Sequence, residues 1–153
     1  MEFTFVSSIN VPEGLLIGAL LRVPAQAIHR RLVRGLNDAG FSDFRQPHIA
    51  VFQYPGPDGC RPSELAERAG MSKQAMNQLL QSLEELGYIR RSDTDEDGRA
   101  RVVRFTRRGQ AVWDTICKIL VEVESEYRAA LGSKNFEQLK KLLGKVWVSS
   151  LVR

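Results

Sequence analysis

Apolar residues recur three or four positions apart over most of this chain, and strict alternation is confined to one short region. Leu16, Leu20, Val23, Ala27, Ile28, Leu32 and Leu36 share helical spacing. Asn10, with Glu13 three residues later, reads as the cap of that helix. Pro24 lies inside the pattern and predicts a kink or a split near Val23, and Ala39-Gly40 ends the segment. Pro47, Ile49, Ala50, Phe52 and Gln53 predict a short helix over Gln46–Tyr54, followed by a turn-rich loop to Cys60. Pro62 and Glu64 suit the first turn of another helix, with Leu65 and Ala66 facing inward and Gly70 stopping it.

Ser72 then caps a helix that runs to about Leu86 and ends at Gly87. Its spacing puts Ala75, Leu79, Leu83 and Leu86 on a buried side, and Lys73, Gln74, Asn77, Gln78 and Gln81 on the other. Two strands follow, Ile89–Arg91 and Arg101–Thr106, with Asp97-Gly98 as the turn signal between them. Val103 and Phe105 are expected to pack inward. Thr106 caps a long helix over Arg107–Leu131, whose apolar face carries Trp113, Ile116, Leu120, Val123 and Tyr127. After the break at Gly132-Ser133, a last helix carries Phe136, Leu139, Leu142, Leu143, Val146 and Trp147.

Helix, glycine turn, helix and two-stranded hairpin, in that order, make a winged helix-turn-helix. The fold expected is mainly α with a small β wing. Residues 1–43 form an N-terminal dimerisation region, 44–110 the winged lobe, and 111–153 the C-terminal dimerisation helices, all in one compact subunit. A lobe of this size cannot bury the apolar faces of three further helices, so Trp113, Leu120, Tyr127, Leu139, Leu143, Val146 and Trp147 are assigned to a twofold interface.

Charge narrows the function. Lys and Arg number 22 against 18 Asp and Glu, a mild excess that favours an acidic partner such as double-stranded DNA. The amides of Gln74, Asn77 and Gln78 can each bond adenine N6 and N7 together, Lys73 can serve a phosphate or a guanine, and Ser72 is counted with them among the expected DNA-binding residues. Residues 90–108 hold seven arginines and four acids. Arg99, with Arg101 close by, is the expected minor-groove contact at the wing tip. Asp97, two positions before Arg99, can accept its guanidinium hydrogen bonds and hold it extended.

The stretch ELAERAGMSKQAMNQLLQSLEELGYIRR, Glu64 to Arg91, followed by DEDGRARVVRFTRRG, Asp95 to Gly109, resembles the multiple antibiotic resistance regulator (MarR) family. Asp97 and Arg99 fill the family's Asp-x-Arg positions. Phe105-Thr106-Arg107-Arg108-Gly109 fills its Leu-Thr-x-x-Gly, with phenylalanine for leucine. Gly98 stands where many members carry a basic residue. The resemblance implies a homodimeric transcriptional regulator of the repressor type. Two lobes would read a palindrome with recognition helices roughly 34–36 Å apart. It also implies a small phenolic or anionic effector in a crevice lined by the first helix, the Gln46–Tyr54 helix and the Arg107–Leu131 helix.

Other chemistries find little support. No nucleophile motif, phosphate loop or pair of acids at useful spacing marks an enzyme, and Ser63 and Ser72 are explained as helix starts. His29 and His48 lack partners at metal-ligand spacing, and no cofactor is implied. Cys60 falls in a loop, where it would be the more reactive thiol, and Cys117 is expected in the core of the long helix. Two distant cysteines fit the reduced thiols of a bacterial cytoplasm. The apolar run Leu15–Leu21 is too short for a membrane helix and follows no basic segment. Arg22, Arg30, Arg31 and Arg34 form a basic run on the first helix, by default a solvated face. The alternative function is a winged helix that contacts protein instead of DNA.

Overall fold

The computed structural model describes residues 14–53, 55–92 and 101–150. Five helices, α1 (Ile17–Asp38), α2 (Pro62–Arg68), α3 (Lys73–Glu85), α4 (Arg107–Leu131) and α5 (Ser133–Trp147), accompany strands β1 (Ile89–Arg91) and β2 (Val103–Phe105). The fold is mainly helical with a small two-stranded wing, as expected. Local signals account for most boundaries. Ser72 Oγ accepts from the Ala75 N–H at 3.1 Å and Thr106 Oγ1 from the Gly109 N–H at 3.1 Å, so both caps act where the sequence puts them.

Several expectations are corrected. α1 starts at Ile17 after Leu16, which makes no side-chain cap bond, and it runs unbroken through Pro24. Asn10 and Glu13 lie outside the described residues. Pro24 removes the bond that would reach the Leu20 carbonyl. Leu20 and Pro24 are both exposed, so water can serve that carbonyl. Gln46–Tyr54 contracts to a 3₁₀ turn over Gln46–Ala50. The second strand is shorter than Arg101–Thr106, because Thr106 is already committed to capping α4.

β1 and β2 pair antiparallel, with Ile89 opposite Phe105 and Arg91 opposite Val103. The outer edge of β2 is covered by the loop before α2. Gly59 N–H donates to the Val103 carbonyl at 2.7 Å and Val103 N–H to the Cys60 carbonyl at 2.8 Å. Phe105 N–H donates to Asp58 Oδ1 at 2.8 Å. A strand edge left bare would invite foreign pairing. This covering strand-like segment also buries Cys60, only 9% exposed, whereas Cys117 is exposed on α4. The expected core placement of Cys117 is therefore corrected, and Cys60, though in a loop, is the buried one of the two.

One hydrophobic cluster joins Leu32 and Leu36 of α1, Phe44, Ile49, Val51 and Phe52 of the joint, the lobe, and α4. α3 enters it through Met76, Leu80 and Leu83, while Ala75, Leu79 and Leu86 are half-buried. The buried stripe is thus rotated from the one expected along Ala75, Leu79, Leu83 and Leu86. α4 contributes Val112, Ile116, Ile119 and Val123, and Trp113, Leu120 and Tyr127 pack half-buried against the same cluster. α5 buries Phe136 alone, and Leu139, Leu143, Val146 and Trp147 are exposed. Arg31 of α1 ties to α4 through Glu126, donating from Nη2 to Oε1 at 2.8 Å and from Nη1 to Oε2.

Among the described residues His48 is the one buried polar residue in the core, 5% exposed. Burial holds its imidazole below the usual range, helped by Arg45 and opposed by the Asp43 carboxylate. The unfolded chain therefore takes the proton first, at about pH 6.5. Stability should be full above that pH and fall as the pH drops through and below it. Urea midpoints at about pH 7.5 and about pH 5.5, well above the carboxylate range of roughly 4, should differ more for the native chain than for His48→Gln. Equal differences would remove His48 from the account.

Candidate nucleic-acid interface

The candidate surface is assembled from α2 outward. Arg61 N–H donates to Glu64 Oε2 at 2.7 Å, which settles the first turn of α2. Leu65 and Ala66 are buried beneath it. Gly70, at φ 62°, makes the turn into α3 in a conformation that side chains disfavour. Lys73, Gln74, Asn77 and Gln78 then stand on the exposed side of α3. Among the described residues none of the four has a side-chain hydrogen bond or ion pair, so their donors and acceptors are open to a ligand. Gln81 differs, because its amide donates to Glu85 Oε1 at 3.0 Å. Ser72 Oγ is engaged as an acceptor, but its hydroxyl proton can still be donated.

Glu84 joins this helix to the wing. Its Oε1 accepts the Arg91 N–H at 2.9 Å, and its Oε2 accepts Arg91 Nε at 3.0 Å and Nη2 at 2.9 Å. The Arg91 backbone N–H, above all, holds the Glu84 carboxyl below its usual range, and the Arg91 and Arg101 charges act the same way. Arg101 is exposed at the base of the wing, within the field of Glu84. Sequence reasoning missed Glu84. Its seven-residue separation from Arg91 is no local motif, and only the turn at Gly87 brings the two together. Asp97 and Arg99, expected at the wing tip, lie outside the described residues, as do Asp93, Asp95 and Glu96.

Two clefts open beside α1. One, of about 430 Å³, is lined by His29, Gln46, Pro47, Ile49, Ala50 and Gln53. The other, of about 480 Å³, is lined by Arg30, Val33, Arg34, Asn37, Asp38 and Gln46. The first matches the expected crevice on its α1 and 3₁₀ sides, but α4 supplies none of its lining. The basic run on α1 divides, since Arg31 is paired to Glu126 and Arg22 donates to Gln26, while Arg30 and Arg34 face the second cleft. No group of three or more metal-ligating side chains comes together among the described residues. No described helix is long and apolar enough to cross a membrane.

Comparison with known proteins gives a consistent picture. The sequence model of the MarR family matches residues 46–100. The HTH-type transcriptional repressor Rv2887 of Mycobacterium tuberculosis is 28% identical over 88 residues, which is 58% of this chain and 63% of that protein. The chain thus spans under two thirds of the length of that curated relative. The structure is similar to the reduced form of MarR from E. coli, with TM-score 0.70 and 21% identity, covering 88% of this chain and 98% of that one. It is similar to Rv2887 in complex with salicylic acid, at TM-score 0.61 and 23% identity over 88% and 98% of the two chains. A third likeness is to the transcriptional repressor CouR bound to a 23-mer DNA duplex, at TM-score 0.64 and 19% identity over 86% and 92%.

Proposed function

We propose that this chain, whose residues 46–100 match the sequence model of the MarR family of winged helix-turn-helix transcriptional regulators, is a repressor that binds a palindromic operator as a homodimer and is released by a small ligand. The observation that carries the reading is the open amide face of α3. Four polar side chains, Lys73, Gln74, Asn77 and Gln78, stand exposed without a side-chain partner among the described residues, over a buried stripe of Met76, Leu80 and Leu83. In this reading Gln74, Asn77 and Gln78 meet base edges in the major groove, and Ser72 and Lys73 hold phosphate. Arg99, ordered by Asp97, and Arg101 serve the wing in the neighbouring minor groove. The structure of CouR on a DNA duplex supports this use of the shared fold.

The homodimer rests on apolar surface that one chain leaves uncovered, on α5 and on the first turns of α1. The effector reading rests on the cleft at His29, Gln46 and Ile49, whose mixture of apolar wall, amide and imidazole suits a phenolic or anionic molecule. The complex of Rv2887 with salicylic acid supports a ligand of that chemistry.

Selection of bound duplexes from a random pool tests the whole. The native chain should return a palindromic motif. Asn77→Ala and Gln78→Ala should each change the preferred bases, with a loss of roughly 1–3 kcal/mol of discrimination at one position per half-site. The same motif from both variants would remove the reading-face assignment. No enrichment at all would favour a winged helix that contacts protein. Salicylate added to the selected duplex complex should release it, and an unchanged affinity would discard that class of effector.

A further inference from the structure

α3 is held from behind at two points, one by the joint between α1 and the lobe and one by the start of α4. His48 supplies the first. Its Nδ1 accepts the Arg45 N–H at 3.0 Å, so the neutral ring carries its proton on Nε2, which faces Ser82 Oγ at 3.3 Å. Arg108, at the start of α4, supplies the second. Its Nη1 donates to the carbonyl of Leu86, the C-cap of α3, and its Nη2 donates to both oxygens of Asp43 at 3.0 Å. The guanidinium lies 4.2 Å from the centre of the Tyr88 ring, and the Tyr88 hydroxyl donates to Asp43 as well. Between the two points the Phe44 ring stands edge-on to His48 at 5.2 Å and to Tyr88 at 5.6 Å.

The apolar stripe of Met76, Leu80 and Leu83 already anchors α3, but apolar contact has no direction. It lets a helix slide or rotate slightly at little cost. Directional bonds at residues 82 and 86, the second from a charged guanidinium, lie about 6 Å apart along the axis and remove both freedoms. The consequence for DNA is large because the helix is a lever. A tilt of about 10° moves the far end of a helix of this length by about 3 Å, close to the rise of one base pair.

We propose that Asp43, His48 and Arg108 form a positioning clamp that fixes the angle of α3 against α1 and α4, and so sets which half-site spacing the protein accepts. None of the three lies on the amide face of α3, so they act through the helix and not on the bases. The inference rests on the palindrome-reading dimer proposed above.

The test uses the full chain and the duplexes recovered by selection, with the central spacer lengthened or shortened by one base pair. Native protein should lose about tenfold or more in affinity for either altered spacer. Asp43→Asn, Arg108→Lys and His48→Phe should lose less than about threefold, while their best duplex stays within a few-fold of native affinity. Arg108→Lys keeps the charge but cannot reach a carbonyl and two carboxylate oxygens together. Ile116→Val, a core change away from the clamp, controls for lost stability and should keep native spacing discrimination. Should a clamp variant fail to fold, Ser82→Ala removes one bond from half-buried surface and is read the same way. Clamp variants as selective as the native chain, or an Ile116→Val variant that loosens equally, would overturn the clamp alone. A native chain that binds no duplex, or ignores spacing, overturns the palindrome reading and the clamp with it.

Discussion

Replacing Gly109 with alanine is expected to destabilise the fold by about 2–3 kcal/mol, although the site is helical and alanine favours helices. A Cβ at this position would lie 1.9 Å from the Tyr88 carbonyl oxygen, 3.0 Å from its carbon and 3.2 Å from the Phe105 ring. The obstacle is backbone and cannot rotate away. The same carbonyl accepts the Thr106 hydroxyl at 3.0 Å and the Thr106 N–H at 3.2 Å. Moving it therefore strains the α4 cap and the start of β1 together. The helical preference of alanine returns only about 1 kcal/mol, less than the overpacking costs. Gly144 of α5 is the internal control, with no atom within 4 Å of a Cβ placed there. Gly144→Ala should stabilise the chain by about 0.5–1 kcal/mol. Urea unfolding of the two variants decides the matter, and a Gly109→Ala chain as stable as the native one would refute the close approach.

Leu143→Glu combined with Trp147→Glu should yield a monomer with native helix content and a DNA affinity lower by about a hundredfold or more. Trp147 is 71% exposed and Val148 68% in the single chain, while Leu16 is 80% exposed at the other end. Charges on α5 therefore disturb little inside the subunit. Trp113, Leu120 and Tyr127, also assigned to the interface from sequence, pack half-buried against the chain's own core. Their replacement would mix folding with assembly, so α5 gives the cleaner experiment. The affinity loss follows from splitting a bivalent contact, in which the second lobe binds as if at very high local concentration. Sedimentation and binding to the selected duplex read the two effects separately. A double variant that sediments and binds as the native chain does would end the α5 interface proposal.

The sequence by itself determined what is written within one or two turns of chain. Ser72 and Thr106 announce their caps, Pro62 and Gly70 bound α2, and the period of the apolar residues lays out the five helices and the hairpin in the right order, with a sixth helix over Gln46–Tyr54 that the structure contracts to a 3₁₀ turn. The polar face of α3 was legible for the same reason, since Lys73, Gln74, Asn77 and Gln78 share one side at helical spacing. Phe105-Thr106-Arg107-Arg108-Gly109 was legible as a motif but not as a cause. Its glycine is required by the carbonyl of Tyr88, which sits on another element. The tertiary structure decided everything that depends on what arrives from elsewhere. It turned α3 onto Met76, Leu80 and Leu83, because the wide apolar arc of that helix allows either stripe and the surrounding core selects one. It buried Cys60 beneath a backbone pairing with Val103 and exposed Cys117. It also gathered Asp43, Tyr88 and Arg108 from three separate stretches of chain. Caps and periodicity are short-range physics carried by neighbouring residues, whereas a close approach or an ion pair between distant segments exists only after the chain has packed.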